Sequence, residues 1–184
     1  MSDIFGRDGA RPSMMNPEPE GPLALDMRGS RWLRRRDAGG VAALTTVAQG
    51  SYRAATISAC LIVSSQPLQF LVSVEAESQM ESWLQESRIF GISLLSWKQQ
   101  VLADRFAGFA PLAHRTFRDI RHFTAVSGVP LIEGCIGWAD CRIIGDLETG
   151  DHRCFVGEAV AIGRGSGEED DPLVYYLNRY RRLT

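Results

Sequence analysis

The triplet Gly150-Asp151-His152 sets an imidazole one residue past a turn-forming pair, at the head of the β-rich run HRCFVG. A Gly-Asp pair suits a tight turn, and turn chemistry makes no demand on the residue that follows. His152 therefore has one of two uses. It offers a ring N–H or a flat face to a ligand, or it is simply the first residue of a surface strand. A second candidate lies in AATISAC, where an extended chain puts Thr56, Ser58 and Cys60 on one face and Ala55, Ile57 and Ala59 on the other. A row of short polar groups makes a poor core and a serviceable ligand floor.

Other chemistries find less support. The four cysteines (Cys60, Cys135, Cys141, Cys154) show no C-x-x-C spacing, and the three histidines (His114, His122, His152) are scattered, so no metal site is expected. Each cysteine sits in a strand-like run and reads as a small buried thiol. The net charge of -2 exerts no global pull toward nucleic acid or an anionic membrane. The arginines of RGSRWLRRRDAGG, with Trp32 and Leu33 among them, read as a solvated helix face closed by two glycines rather than a phosphate patch. Without a second basic cluster or interleaved aromatics they do not make a nucleic-acid surface. No apolar run approaches the roughly 20 residues of a membrane span, and no apolar leader opens the chain, so a cytoplasmic location is expected.

The elements that must position these residues are mostly strands. Residues 1–24, rich in Gly, Pro and charge, are expected to form a flexible arm, and 25–184 one folded domain. VAALTTVAQ turns at Gly50-Ser51 into a strand read through AATISACLIV, and LQFLVSVE follows Pro67. Short β runs separated by tight turns point to an antiparallel sheet or barrel, not to alternating βαβ units. Two helices interrupt them, each opened by a capping signature. In SQME, Ser78 caps with Glu81 three residues on, and Met80, Trp83 and Leu84 form the buried stripe. In SWKQ, Ser96 and Gln99 repeat the device ahead of Val101, Leu102 and Phe106. The stretch 111–132 is less regular. CIGWADCRIIG and HRCFVGEAVAIG then make a long hairpin through DLETGD, and an acidic loop, SGEEDD, leads into PLVYYLNRY.

The order of these pieces resembles the flavin reductase family with the FMN-binding split-barrel fold. TISACLIVSSQP matches the family's T-x-S-A strand and serine-rich turn. IFGISLLSWKQQVLADRFA matches its strand, glutamine and Phe-Ala helix end, and GDH and PLVYYLNRY complete the series from about Val41 to Tyr180. The resemblance implies a mainly β fold, an antiparallel split β-barrel of Greek-key type with a few flanking helices. It further implies a homodimer, with flavin in a groove built partly by the subunit interface.

Carried over residue by residue, the resemblance places the flavin ring near Thr56, Ser58 and Ala59 and the turn residues Ser64 and Ser65. It places the flavin phosphate near the segment holding Glu75 and Ser78, and Phe106 and Ala107 close to the ring. In that phosphate segment the sequence departs from the family's polar or basic habit. The amides of a helix start attract anions, yet Glu75, Glu77 and Glu81 each cost a nearby phosphate on the order of 1 kcal/mol. Arg53, Arg105 or an arginine of the other subunit would have to compensate. Asp151 and His152 fall beside the flavin, with His152 as the catalytic-site residue that docks the nicotinamide of NADH or NADPH and Asp151 fixing the turn or the imidazole. Tyr175, Tyr176 and Tyr180 are expected to seal the dimer or cap the groove.

The function implied is reduction of free FMN or FAD by NAD(P)H, with reduced flavin leaving for a flavin-dependent monooxygenase. The alternative is a flavin-binding split-barrel protein without reductase activity, a carrier or electron-transfer module. A nucleic-acid-binding barrel lacks the stacking platform it would need.

Overall fold

A computed structural model describes residues 21–109 and 117–183. Residues 1–20 of the expected arm, and 110–116 of the irregular stretch with His114, lie outside the described residues. The chain divides into two units, one ending at Arg34 and one formed by Arg35–Thr184. The first contains helix α1 (Met27–Arg34), whose first turn is capped by Asp26 Oδ1, accepting from the amides of Arg28 (2.9 Å) and Gly29 (2.8 Å). None of its residues is buried, as a helix with five arginines in or just past it requires.

The second unit runs β1 (Gly39–Gly40), β2 (Ala42–Ala48), β3 (Ser51–Ile57), β4 (Cys60–Ser65), β5 (Leu68–Glu75), α2 (Gln79–Ser87), β6 (Ile89–Leu94), a 3-10 turn (Trp97–Gln99), α3 (Gln100–Ala107), β7 (His122–Thr124), β8 (Pro130–Ile132), β9 (Gly137–Thr149), β10 (His152–Arg164), β11 (Val174–Tyr176) and β12 (Arg179–Arg181). The protein is mainly β, and every ladder is antiparallel. The principal sheet has seven strands in the order β3-β2-β6-β9-β10-β5-β4. Its two edges, β3 and β4, are consecutive in the chain and separated only by Ser58 and Ala59. Two residues cannot span a flat seven-stranded sheet, so the sheet must roll until its edges meet at that corner.

Rolling gives the sheet an inside and an outside, each with its own core. Inside lie Leu44, Ile57, Phe70, Val72, Phe90, Ile92 and Phe155, with Met80 and Leu84 of α2 closing over them. Outside, α3 covers Ala43, Ala54, Leu95 and Ile132 with Ala103 and Phe106. A small sheet, β1-β11-β12, packs on this second cluster through Tyr175 and Tyr180.

Several sequence expectations change at this level. AATISACLIV is two strands, not one, and the break at Ser58–Ala59 separates the polar row: Thr56 faces α3, whereas Cys60 packs on the inner cluster. Val101 is 68% exposed, and the buried face of α3 is Ala103 and Phe106 instead. The β9–β10 hairpin extends through DLET, leaving only Gly150 and Asp151 as the turn. The irregular stretch contains the short pair β7–β8. The run RYRR at 179–182 supplies the second basic cluster that the sequence reading overlooked, on and just past β12.

Candidate functional site

Gly150 takes the left-handed conformation (φ 61°) that a two-residue connection needs, and Thr149 pairs with His152 across it. On its other side His152 pairs with Glu75, the last residue of β5, and Asp151 accepts a 3.0 Å hydrogen bond from the Ala76 amide. The turn is thus fastened to the segment that leads into α2. His152 Nδ1 lies 2.7 Å from Asp151 Oδ1. A carboxylate only accepts, so Nδ1 carries the proton and Nε2 is left to face other groups. The imidazole is 30% exposed and accessible to a ligand.

Two amides at the start of α2 are taken by side chains of the same segment. Ser78 Oγ accepts from the Glu81 amide (3.2 Å), and Glu81 Oε2 accepts from the Glu77 amide (2.5 Å). Glu81 does not crowd an incoming anion as expected. It is 8% exposed, and its Oε1 lies 2.7 Å from Arg153 Nε. Arg153 also holds Asp146 Oδ1 (2.8 Å) and Glu148, and Arg88 holds Asp146 Oδ2 (2.8 Å). The Arg88 guanidinium, with Arg153 behind it, keeps the Asp146 carboxyl below its ordinary range, while Glu81 chiefly raises Arg153. This network, absent from any motif, ties α2 to the hairpin beside His152. The pairs that join α2 and its end to the hairpin, Glu81–Arg153 and Arg88–Asp146, are 72 and 58 residues apart, and no local spacing announces them.

The corner Ser58–Ala59 belongs to the same end of the rolled sheet. Ala59 accepts from the Ser73 amide (3.1 Å), two residues before Glu75 and hence about 7 Å from it along β5. Both corner residues are exposed. Gly39 lies close behind: a Cβ there would sit 3.2 Å from both the Cβ and the carbonyl oxygen of Ser58. Ser58, Ala59, Glu75, Ser78, Asp151 and His152 therefore gather at one end. Exposed main chain, hydroxyls and an imidazole fit the carbonyls and ring nitrogens of a planar heterocycle.

The remaining candidates stand apart. Thr56 Oγ1 donates to the Ala103 carbonyl (2.7 Å), so its hydroxyl joins β3 to α3. Ser64 and Ser65 pair with Gln69 and Leu68 at the start of β5, about 20 Å along the strand from Glu75. Phe106 is fully buried and packs on Phe117 (centroids 5.6 Å apart); Ala107 ends α3 beside it. Of the arginines considered for a phosphate, Arg105 forms a two-pronged pair with Asp119 (2.9 and 2.7 Å), and Arg53 lies 4.6 Å over the Trp83 ring. Tyr180 donates its hydroxyl to Asp104 (2.9 Å), and burial raises its phenol further. Cys60 and Cys135 are pushed up to about 11 and Cys141 to about 12, by burial in each case. Among the described residues no group of three His, Cys, Asp or Glu is placed to hold a metal, and no helix is long and apolar enough to cross a membrane.

Residues 34–184 match the family model described as a flavin reductase like domain. The chain is similar to an NADH-dependent flavin reductase of Rhodococcus sp, 31% identical over 151 residues, which span 80% of this chain and 81% of that protein. It is 34% identical over 143 residues to the reductase component of 4-nitrophenol 4-monooxygenase/4-nitrocatechol 2-monooxygenase of Rhodococcus opacus, covering 78% and 74% of the two chains. Its fold is similar to that of BorF, the flavin reductase component of a bacterial two-component tryptophan halogenase, with a TM-score of 0.77, 32% identity, and coverage of 86% and 98%.

Proposed function

The chain belongs to the flavin reductase-like domain family, and we propose that it is an NAD(P)H:flavin oxidoreductase that reduces FMN or FAD for a partner flavin-dependent monooxygenase. The observation that carries this reading is the gathering of the exposed corner Ser58–Ala59 and the Asp151–His152 turn at one end of the sheet. Hydride passes between the nicotinamide and the flavin themselves, and the protein contributes distance and orientation. Ser58 and Ala59 offer main-chain groups to the ring. His152, held by Asp151, docks the nicotinamide through Nε2 or its face. Glu75 and Ser78 fix the wall behind the imidazole. Thr56, Phe106 and Ala107 act one layer back, by holding α3 against β3.

We further propose that the rolled sheet is a split barrel and the active form a homodimer, in which Ser64 and Ser65 reach the groove of the other subunit. In support, edge strand β4 exposes Leu61, Ile62 and Val63 in succession, at 61%, 63% and 49%. An apolar edge of this kind is a surface that a second chain covers. A cytoplasmic location, an arm at 1–24 and a catalytic domain at 25–184 complete the proposal.

The test mixes the pure protein with NADH or NADPH and FMN or FAD, and follows loss of the reduced nicotinamide band. Flavin-dependent oxidation is expected. A protein that binds flavin but oxidises neither nucleotide would be a carrier, and the reductase reading would fall.

A further inference from the structure

His152 and Arg153 are consecutive in β10 and so lie on opposite faces of the strand. In the β9–β10 ladder Arg153 stands opposite Glu148, and Phe155 opposite Asp146. Directly paired residues share a face. Arg153, Asp146 and Glu148 therefore stand on the face by which Phe155 enters the inner core. His152 stands on the other, in line with Cys154, whose Sγ lies 3.6 Å from Thr149 Oγ1. The side that holds Arg153 decides the side on which the imidazole emerges.

Arg153 is held from two elements. Its Nε lies 2.7 Å from Glu81 Oε1 and its Nη1 2.8 Å from Asp146 Oδ1, while Nη2 bonds Glu148. Asp146 Oδ2 continues to Arg88 (2.8 Å), the left-handed residue that caps the C-terminus of α2. The helix is thus fastened to the hairpin at both ends, by Glu81 in its first turn and by Arg88 past its last. Glu81 Oε2 carries the connection into the segment beside the imidazole by accepting the Glu77 amide. This anchorage sits where the neighbouring strand gives out: Glu75, opposite His152, is the last residue of β5.

We propose that Arg153, together with Glu81, is a positioning residue for the reaction. The pair sets the rotation of β10 about its own axis, and with it the reach of the His152 imidazole toward the nicotinamide. The proposal rests on the reading of His152 as the group that docks the nicotinamide. Arg153 faces away from the imidazole and acts through it. A planar guanidinium bonded to carboxylates of two elements admits one orientation of the strand that carries it. Without the fork the ladder still fixes the height of His152, but the strand end is free to twist. The imidazole then meets the nicotinamide less often in the productive geometry.

The test is a double-variant cycle between Arg153 and His152. Steady-state kinetics with NADH at saturating FMN are measured for wild type, Arg153→Ala, His152→Ala and their combination, at a temperature where each is folded by circular dichroism. Arg153→Ala should raise KM for NADH about tenfold, with kcat within about threefold and KM for FMN within about twofold of wild type. In the His152→Ala background the same substitution should move KM for NADH by less than about twofold, because the group it positions is gone. Glu81→Gln, which can keep the Glu77 hydrogen bond but gives up the ion pair, should raise KM for NADH by a smaller factor, and it carries the same cycle if Arg153→Ala does not fold. An unchanged KM for NADH, an equal rise in both backgrounds, or a matching rise in KM for FMN overturns the assignment. The NADH dissociation constant is read on the same proteins by nicotinamide fluorescence. Coupling seen in that constant without any NADH oxidation would sink the reductase reading and leave the positioning role standing, whereas a wild type that does not bind NADH ends both.

Discussion

Arg153 Nε and Glu81 Oε1 lie 2.7 Å apart and join the strand that begins with His152 to the first turn of α2. Both side chains are largely enclosed, at 16% and 11% exposure. Removing Arg153 strands the Glu81 carboxylate in a poorly hydrated site, whereas Arg153 keeps Asp146 and Glu148 when Glu81 is lost. Arg153→Ala should therefore lower Tm by roughly 5–10 °C, and combining it with Glu81→Ala should cost less than the sum of the two. Thermal melts of the four-member cycle decide this; strict additivity would mean that the pair does not couple.

Asp146 gives the same network a pH dependence. Its carboxyl titrates below the ordinary value because Arg88, then Arg153, favours the ionised form. A depressed folded-state pKa contributes stability that is complete above the unfolded value near 4 and is lost as pH falls through the folded one. Urea midpoints should hold steady from pH 7 to about 5 and decline below about 4, and Asp146→Asn should flatten that decline. An unchanged acid limb in the variant contradicts the assignment.

His152→Ala should leave the melting temperature within about 2 °C of wild type, since the side chain is partly exposed and bonded only to its neighbour. Steady-state kinetics should show kcat/KM for the nicotinamide falling roughly ten- to a hundredfold. Asp151→Asn, which keeps the turn but can present its amide N–H to the ring, should fall between. Wild-type turnover and KM in His152→Ala would remove the imidazole from the reaction.

Ile62→Asp places a charge in the middle of the exposed edge β4. Light scattering should find the wild type dimeric and the variant monomeric, with flavin reduction reduced along with the dimer. A wild type that is monomeric at micromolar concentration would leave the apolar edge without its proposed cover.

Alternation and turn chemistry made most strands legible, and the Ser78 cap announced α2 one residue before it begins. What alternation could not show was the Ser58–Ala59 corner. A strand that leaves one sheet edge and enters the other keeps its hydrophobic pattern while its faces change owners. Thr56 and Cys60 therefore looked like neighbours and are not. Glu81 was misread for a related reason: its charge is visible in the sequence, but its neutralisation depends on Arg153, 72 residues later. His152 stood out because nothing local asked for it. Arg179 and Arg181 went unnoticed because a strand that short shows its facing only against Tyr180 and Asp104.

The two-residue link between β3 and β4 leaves the fold no slack at that point. Adding or deleting one residue there would slip β4 by a single pleat, turning Leu61 and Val63 to the side now held by Cys60 and Ile62. The length of this link is set by the circumference of the sheet it closes.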